Sequence, residues 1–354
     1  MWLLASPHQG DNSQLLALAR GLEWPFEIKR LQYKSYEKLL RFSKAATLAA
    51  VERRNSDTLE PPAPDLVLLS GRPNEAVAFW IRRSLNPSCK LVFVGTPMWP
   101  LAGYDLVIAT PQYGLPQRSN VQHISLPLHG VSEESLAAAR AEWAARFAHL
   151  PKPHVVVLVG GNSGPYVFTV DAARRLVSAA SARAASKGGS LLVTTSARTP
   201  SHVAEILARE ISVPAFVHRW QDGQAENPFL GMLAHADEVI VTADSISMIS
   251  EAIATGRPVW LFDTDEGRYG MKGLSGEDEA APGWRGRTLD STAFRLIMRL
   301  APSSWSRDLR VVHRAVVTKG LARWLGEGDA TSPPGPPVSE LQQSLLRVRA
   351  LFGL

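Results

Sequence analysis

The chain has a single cysteine, Cys89, among 354 residues. An intrachain disulfide framework is excluded, and a reducing compartment is the expected setting. No stretch approaches ~20 apolar residues, which speaks against a spanning helix. The opening "MWLLASPHQGD" lacks a basic n-region and a long apolar core, so it reads as a buried strand entering a loop, not as a signal peptide. No Gly-Lys-Ser/Thr follows a glycine-rich turn, which excludes a Walker loop, and no cluster has metal-ligand spacing. Charge of one sign is also in modest supply, with a net +5 and a pI of 9.4. That excess suits an anionic ligand, a membrane surface or simply a solvated face. Without basic runs interleaved with aromatics it does not indicate nucleic acid.

What the sequence does contain is the composition of a folded protein, 45% hydrophobic and 20% charged, at a length suited to two domains. Short apolar runs recur between polar loops and helical segments. They are Trp2 to Ala5, Pro64 to Gly71, Cys89 to Pro97 and Tyr104 to Pro111 in the first half. In the second half they are His154 to Gly161, Ser190 to Arg198, Ala215 to Trp220, Asp237 to Asp244 and Pro258 to Asp263. This alternation predicts an α/β fold with two open, mostly parallel sheets covered on both faces. The "HLPKP" break at His149 to Pro153 suggests domains at 1–150 and 151–305, with 306–354 a tail. The tail holds a helical segment at Ser306 to Leu325, expected to cross back to the N-terminal domain, then a Pro/Gly-rich linker and the short amphipathic "LQQSLLRVRALFGL", which suits docking or peripheral membrane contact.

In open parallel sheets, ligands bind beyond the carboxyl ends of the strands. "VGGNSGPY" puts Gly161, Asn162 and Ser163 after one strand, where bare glycines and a following helix could approach a phosphate or merely turn the chain. "LLVTTSARTP" ends another strand in Thr195, Ser196 and Arg198; the arginine could grip a phosphate, with Thr199 or Ser201 capping a helix in the alternative. Asn227 could read a sugar or base edge, or cap the helix that opens at Pro228. "VTADSISMISEAIATG" has Asp244, Ser245 and Ser247 at a strand-to-helix turn suited to a diphosphate, and Glu251 further along to accept two vicinal ribose hydroxyls. In the first half, His8 and Asp11 of "SPHQGDNSQ" are the candidate general bases, with Asn12 or Ser13 capping the first helix in the bland reading. Arg72, Asn74, Gln112, Tyr113 and Arg118 follow other strands, and His129 is a further candidate base.

The run "NPFLGMLAHADEVIVTADSISMISEAIATGRPVW", together with "LVTTSARTP", "VGGNSGPY", "DLVLLSGR" and the "HQGDNSQ" loop, resembles the family of the plant mitochondrial fission factor. Bacterial members of that family are described as glycosyltransferase-like. The resemblance implies two Rossmann-like domains facing a cleft, as in GT-B glycosyltransferases. The second would hold a nucleotide-sugar donor (UDP or GDP guessed) through Glu251, and the first a glycolipid or saccharide acceptor. One departure from the family pattern is Ala197, where an arginine is usual; Arg198 would then serve the diphosphate alone. The expected function is metal-independent, cofactor-free transfer of a sugar to an envelope or lipopolysaccharide-type acceptor, in the cytoplasm or at the inner face of its membrane. The alternatives are an interaction protein that kept the fold without the chemistry, and a nucleotide-sugar epimerase or hydrolase.

Overall fold

The structure, a computed structural model, describes residues 1–37, 43–164, 166–221, 226–265, 270–272, 308–328 and 340–354. Its contacts divide the chain into two units. Unit 1 is Met1–Gly130 with Val338–Leu354, and unit 2 is Val131–Pro337.

Unit 1 is built on β1 (Trp2–Leu4), α1 (Gln9–Leu22), β2 (Glu27–Lys29), β3 (Leu66–Leu69), α2 (Pro73–Ser84), β4 (Lys90–Val94), β5 (Leu106–Ala109) and β6 (Val121–His123). All six strands are parallel, in the order β2-β1-β3-β4-β5-β6. Alternate residues feed opposite faces, as a pleated strand requires. Leu3, Leu66, Leu68, Val92 and Val94 pack under α1, while Trp2, Leu4, Val67, Leu69, Leu91 and Phe93 pack under α2. Burial on both faces is why these strands read as unbroken apolar runs.

Unit 2 contains α3 (Glu133–Phe147), β7 (His154–Leu158), α4 (Val170–Ala185), β8 (Ser190–Thr194), α5 (Ser201–Arg209), β9 (Ala215–His218), α6 (Phe229–His235), β10 (Glu238–Thr242), α7 (Ile246–Ala254), β11 (Val259–Phe262), α8 (Leu309–Thr318) and β12 (Arg323–Trp324). Its parallel sheet runs β12-β11-β10-β7-β8-β9. Numbered within the unit, this is the 3-2-1-4-5-6 order of the Rossmann fold.

The units differ from the sequence reading in two ways. The division falls at Gly130, not near residue 150, and α3 belongs to unit 2. The cause is packing: Trp143 lies against the bare face of Gly231 on α6, and the Phe147 ring meets His235 edge-on. The helix expected over Ser306 to Leu325 is also shorter. It ends at Thr318, ahead of Gly320 at φ 70°, and belongs to unit 2. Arg323–Trp324 instead pair with Trp260 and Leu261 of β11; residues 306 and 307 lie outside the described residues. The element that rejoins unit 1 is α9 (Glu340–Ala350). Its Leu345 and Val348 are buried with Leu15, Leu18 and Leu22 of α1. The Glu340 carboxylate accepts the Ser125 and Leu126 amides at 2.5 and 3.0 Å, and the Gln122 amide donates to Ser344 Oγ at 3.0 Å. The apolar stripe of the amphipathic tail is thus spent on its own unit.

Candidate functional site

The strand order of unit 2 reverses between β7 and β10, and the loops leaving these two strands frame the crevice such a reversal opens. After β7 come Gly160 and Gly161, and after β10 come Ala243 and Asp244. The Gly160 N–H donates to Thr242 Oγ1 at 2.8 Å, and the Gly161 N–H donates to Asp244 Oδ2 at 2.9 Å. A side chain at Gly160 would run into the Asp244 carboxylate, and one at Gly161 into the Arg198 carbonyl. Glycine is required here by close packing between loops.

Asp244 is buried and is shared with Arg198, whose Nη2 lies 2.9 Å from Oδ2. Arg198 Nη1 also donates to the Asn162 carbonyl at 3.1 Å. The expected phosphate arginine is therefore committed to holding the Gly160–Asn162 loop against β10, with its side chain 38% exposed. Ser196 Oγ donates to the Gly160 carbonyl at 3.0 Å, and Thr199 Oγ1 donates to the same carbonyl. Thr199 consequently does not cap α5, whose cap position is Pro200. Thr195 is buried, and its hydroxyl accepts the Trp220 amide at 2.8 Å. The Asn162 side chain accepts the Phe168 amide at 2.8 Å, and Ser163 forms a backbone bridge with Tyr166. The glycine turn does not run straight into a helix: α4 starts only at Val170, with Thr169 Oγ1 accepting the Ala172 amide at 3.2 Å. Asn227 Oδ1 accepts the Phe229 amide at 3.1 Å, although the cap position of α6 is Pro228 and not Asn227.

The start of α7 has a different character. Its cap residue Ser245 makes no side-chain hydrogen bond to the helix, which leaves the first amides without a side-chain cap. Ser247 is half-buried in the first turn. Glu251 follows one turn on, half-buried, with no hydrogen-bond or ion-pair partner among the described residues. Desolvation pushes its carboxyl up to about 8. Because Cα–Cβ bonds lean toward a helix N-terminus, this acid and the free amides serve one end of α7.

Three neighbours, His313, Trp220 and Asp263, escaped the sequence reading, and Thr242 of the polar knot stands beside them. His313 of α8 is buried, and its Nε2 lies 2.7 Å from the Ala243 carbonyl, pinning the exit of β10. Burial holds that imidazole down at about 4, against the opposing effect of the Ala243 bond. Trp220, 39% exposed, follows β9 and offers an aromatic face. Asp263 ends β11 and is raised by burial to about 6, although the Lys272 and Asp265 amides donate to it. Thr242 is the buried hydroxyl under Gly160. Trp220 and Asp263 could have been found by the rule that found the rest, since each closes an apolar run; His313 sits on a helix and gave no such signal.

In unit 1 the reversal lies between β1 and β3. Asp11 Oδ2 accepts Ser6 Oγ at 2.9 Å, and Asn12 brackets the Ser6 backbone, accepting its amide at 2.7 Å and donating to its carbonyl at 2.9 Å. His8 stands at the cap position of α1 with its ring exposed. Asn74 is fully buried and donates to the Leu4, Ala5 and Ser70 carbonyls, so it ties β1 to β3 instead of capping α2. Arg72 is exposed beside a small cavity that Tyr33, Thr47 and Trp99 also line. Among the described residues, no group of three or more His, Cys, Asp or Glu could hold a metal ion. Nor is any described helix long and apolar enough to cross a membrane.

Two parallel, doubly wound units, each with polar loops at its strand-order reversal, define a protein of two Rossmann-like domains. The chain belongs to the mitochondrial fission ELM1 family, whose model matches residues 9–272. It is 29% identical over 288 residues to the mitochondrial fission protein ELM1 of Arabidopsis thaliana, covering 70% of this chain and 67% of that one. Similar solved structures include Os79 from O. sativa, at a TM-score of 0.49 and 13% identity, covering 99% of this chain and 100% of that one. The UDP-GlcNAc 2-epimerase of Methanocaldococcus jannaschii aligns at a TM-score of 0.48 and 11% identity, covering 100% and 99%.

Proposed function

We propose that the chain is a nucleotide-sugar-dependent glycosyltransferase, with unit 2 holding the donor and unit 1 the acceptor. The observation that carries the reading is Glu251, a desolvated acid with no partner among the described residues, one turn inside a helix whose first amides lack a side-chain cap. A diphosphate at those amides brings a ribose within reach of Glu251, whose carboxylate accepts the two vicinal hydroxyls. Trp220 supplies a face for the base, and Ser247 a donor to phosphate. On the acceptor side His8, which has no competing ring partner among the described residues, takes the proton of the attacking hydroxyl, and Asp11 orders its loop through Ser6. The acceptor is a saccharide or glycolipid of envelope type. Titration calorimetry against UDP, GDP, CMP and ADP tests the donor site. Saturable binding of at least one supports it, and no binding at millimolar ligand overturns it.

A second reading is a scaffold without chemistry, favoured by Ala197 and by the engagement of Arg198 with Asp244. It predicts no nucleotide binding. An epimerase is separated by incubation with a UDP-sugar and no acceptor, which for an epimerase yields a new sugar nucleotide.

A further inference from the structure

The net charge of the chain resides in one unit. Unit 1 carries 16 lysines and arginines against 11 acids, whereas unit 2 carries 22 of each. The connection between β2 and β3, residues 30–65, carries seven lysines and arginines against five acids, and four of the cations lie on one ribbon together with Glu52 and Asp57. There residues 30–34 run antiparallel to residues 50–57: the Lys34 amide donates to the Ala50 carbonyl at 2.9 Å, Glu52 to Gln32 at 2.8 Å and Asp57 to Arg30 at 3.0 Å. Leu31, Tyr33 and Val51 turn inward onto the core under α2. The period of two then turns Arg30, Gln32, Lys34 and Tyr36 outward, and all four are exposed. Arg53 and Arg54 extend the same ribbon on its short 3-10 turn, also exposed. Arg30, Lys34, Arg53 and Arg54 form no ion pair with a described residue. Lys34 Nζ lies 5.6 Å from the centroid of the exposed Tyr36 ring, and both side chains hydrogen-bond the Ala49 carbonyl.

We propose that this ribbon docks unit 1 on an anionic lipid surface. The inference goes beyond the donor chemistry and does not depend on it. Four exposed cations without an ion-pair partner among the described residues, flanked by an exposed tyrosine, match the headgroup region of a bilayer, where basic residues meet anionic lipids and aromatic rings settle at the interface. On the amphipathic tail, Leu345 and Val348 are buried against α1, which leaves Leu346 and Leu354 as its exposed large apolar side chains.

The test is sedimentation of the full chain with phosphatidylcholine vesicles, with and without phosphatidylglycerol. Binding should require the anionic lipid and weaken as salt rises. Each surface cation is worth about fivefold. Lys34→Ala with Arg53→Ala and Arg54→Ala should therefore lose on the order of a hundredfold. Arg53→Ala with Arg54→Ala, which leaves the ribbon's pairing untouched, should lose roughly twenty- to thirtyfold. A control on unit 2, Arg209→Ala with Arg257→Ala and Lys319→Ala, removes the same charge from exposed positions and should change binding less than twofold. The proposal is overturned by failure of the wild type to bind anionic vesicles, or by equal losses in the two triple variants. It also fails if duplex DNA binds at salt concentrations that abolish vesicle binding, since the face would then be one for nucleic acid.

Discussion

Replacing Glu251 with glutamine should make the protein more stable and poorer at binding nucleotide. Glutamine has the shape of the protonated acid but cannot ionise. The carboxyl titrates at about 8 in the folded chain, raised by desolvation from 4.5. Between those limits the folded state keeps a proton that the unfolded chain has released, so stability falls as pH rises from 4.5 toward 8. At ~1.4 kcal/mol per pH unit the penalty at pH 7 is at most about 3 kcal/mol, and partial exposure reduces it to roughly 1–3. Thermal melts of both proteins should therefore coincide near pH 5 and separate by several degrees at pH 8, the glutamine variant melting higher. The same variant should bind a nucleotide sugar roughly ten- to a hundredfold more weakly, because hydroxyl donors lose their anionic acceptor. Wild-type affinity should rise with pH through about 8, since the ligand selects the ionised acid. The variant should show no such rise. A glutamine variant that melts below wild type at pH 8 would refute the reasoning, since it would mean that Glu251 has a stabilising partner in solution.

Asp244→Ala should cost about 2–3 kcal/mol in denaturant unfolding, because it strands the Gly161 amide and the Arg198 guanidinium together; unchanged stability would contradict the buried pairing. His313 should make the wild type lose stability as pH falls from 6.5 toward 4, by up to about 3 kcal/mol, since the unfolded imidazole gains a proton that the buried one refuses. His313→Gln should flatten that limb, as comparison of acid denaturation profiles will reveal. His8→Ala should lower turnover roughly 10²–10⁴-fold with donor affinity intact, whereas Asp11→Asn should act more weakly through the loop it orders; wild-type turnover in both would move the base elsewhere.

Long, doubly buried strands were legible because β-branched and leucine runs have few other uses. β2, β6 and β12 were not, since two or three residues at a sheet edge carry no pattern. At the site, the polar knot around Asp244 was found but its purpose was not. Thr242 and Asp244 look like ligand groups in one dimension. Only the adjacency of β7 and β10, some 80 residues apart, reveals that they hold Gly160 and Gly161. The ion pair of Arg198 was hidden for the same reason, its partner Asp244 lying in the turn after a strand that sequence proximity does not suggest. Asn227 was placed beside the start of a helix, where it does bond the Phe229 amide, but the cap position falls one residue later, at Pro228.

Because α9 completes the layer over α1, unit 1 is discontinuous along the chain, with all of unit 2 threaded through it. During synthesis the first unit to leave the ribosome is therefore the last to be finished. Until residue 348 has emerged, Leu15, Leu18 and Leu22 lack the cover of Leu345 and Val348. A stop codon at residue 338 would leave unit 2 whole and injure unit 1, exposing apolar surface at the opposite end of the sequence from the lesion. Unit 2 can meanwhile fold on its own schedule, in a chain whose amino terminus is still waiting for its carboxyl end.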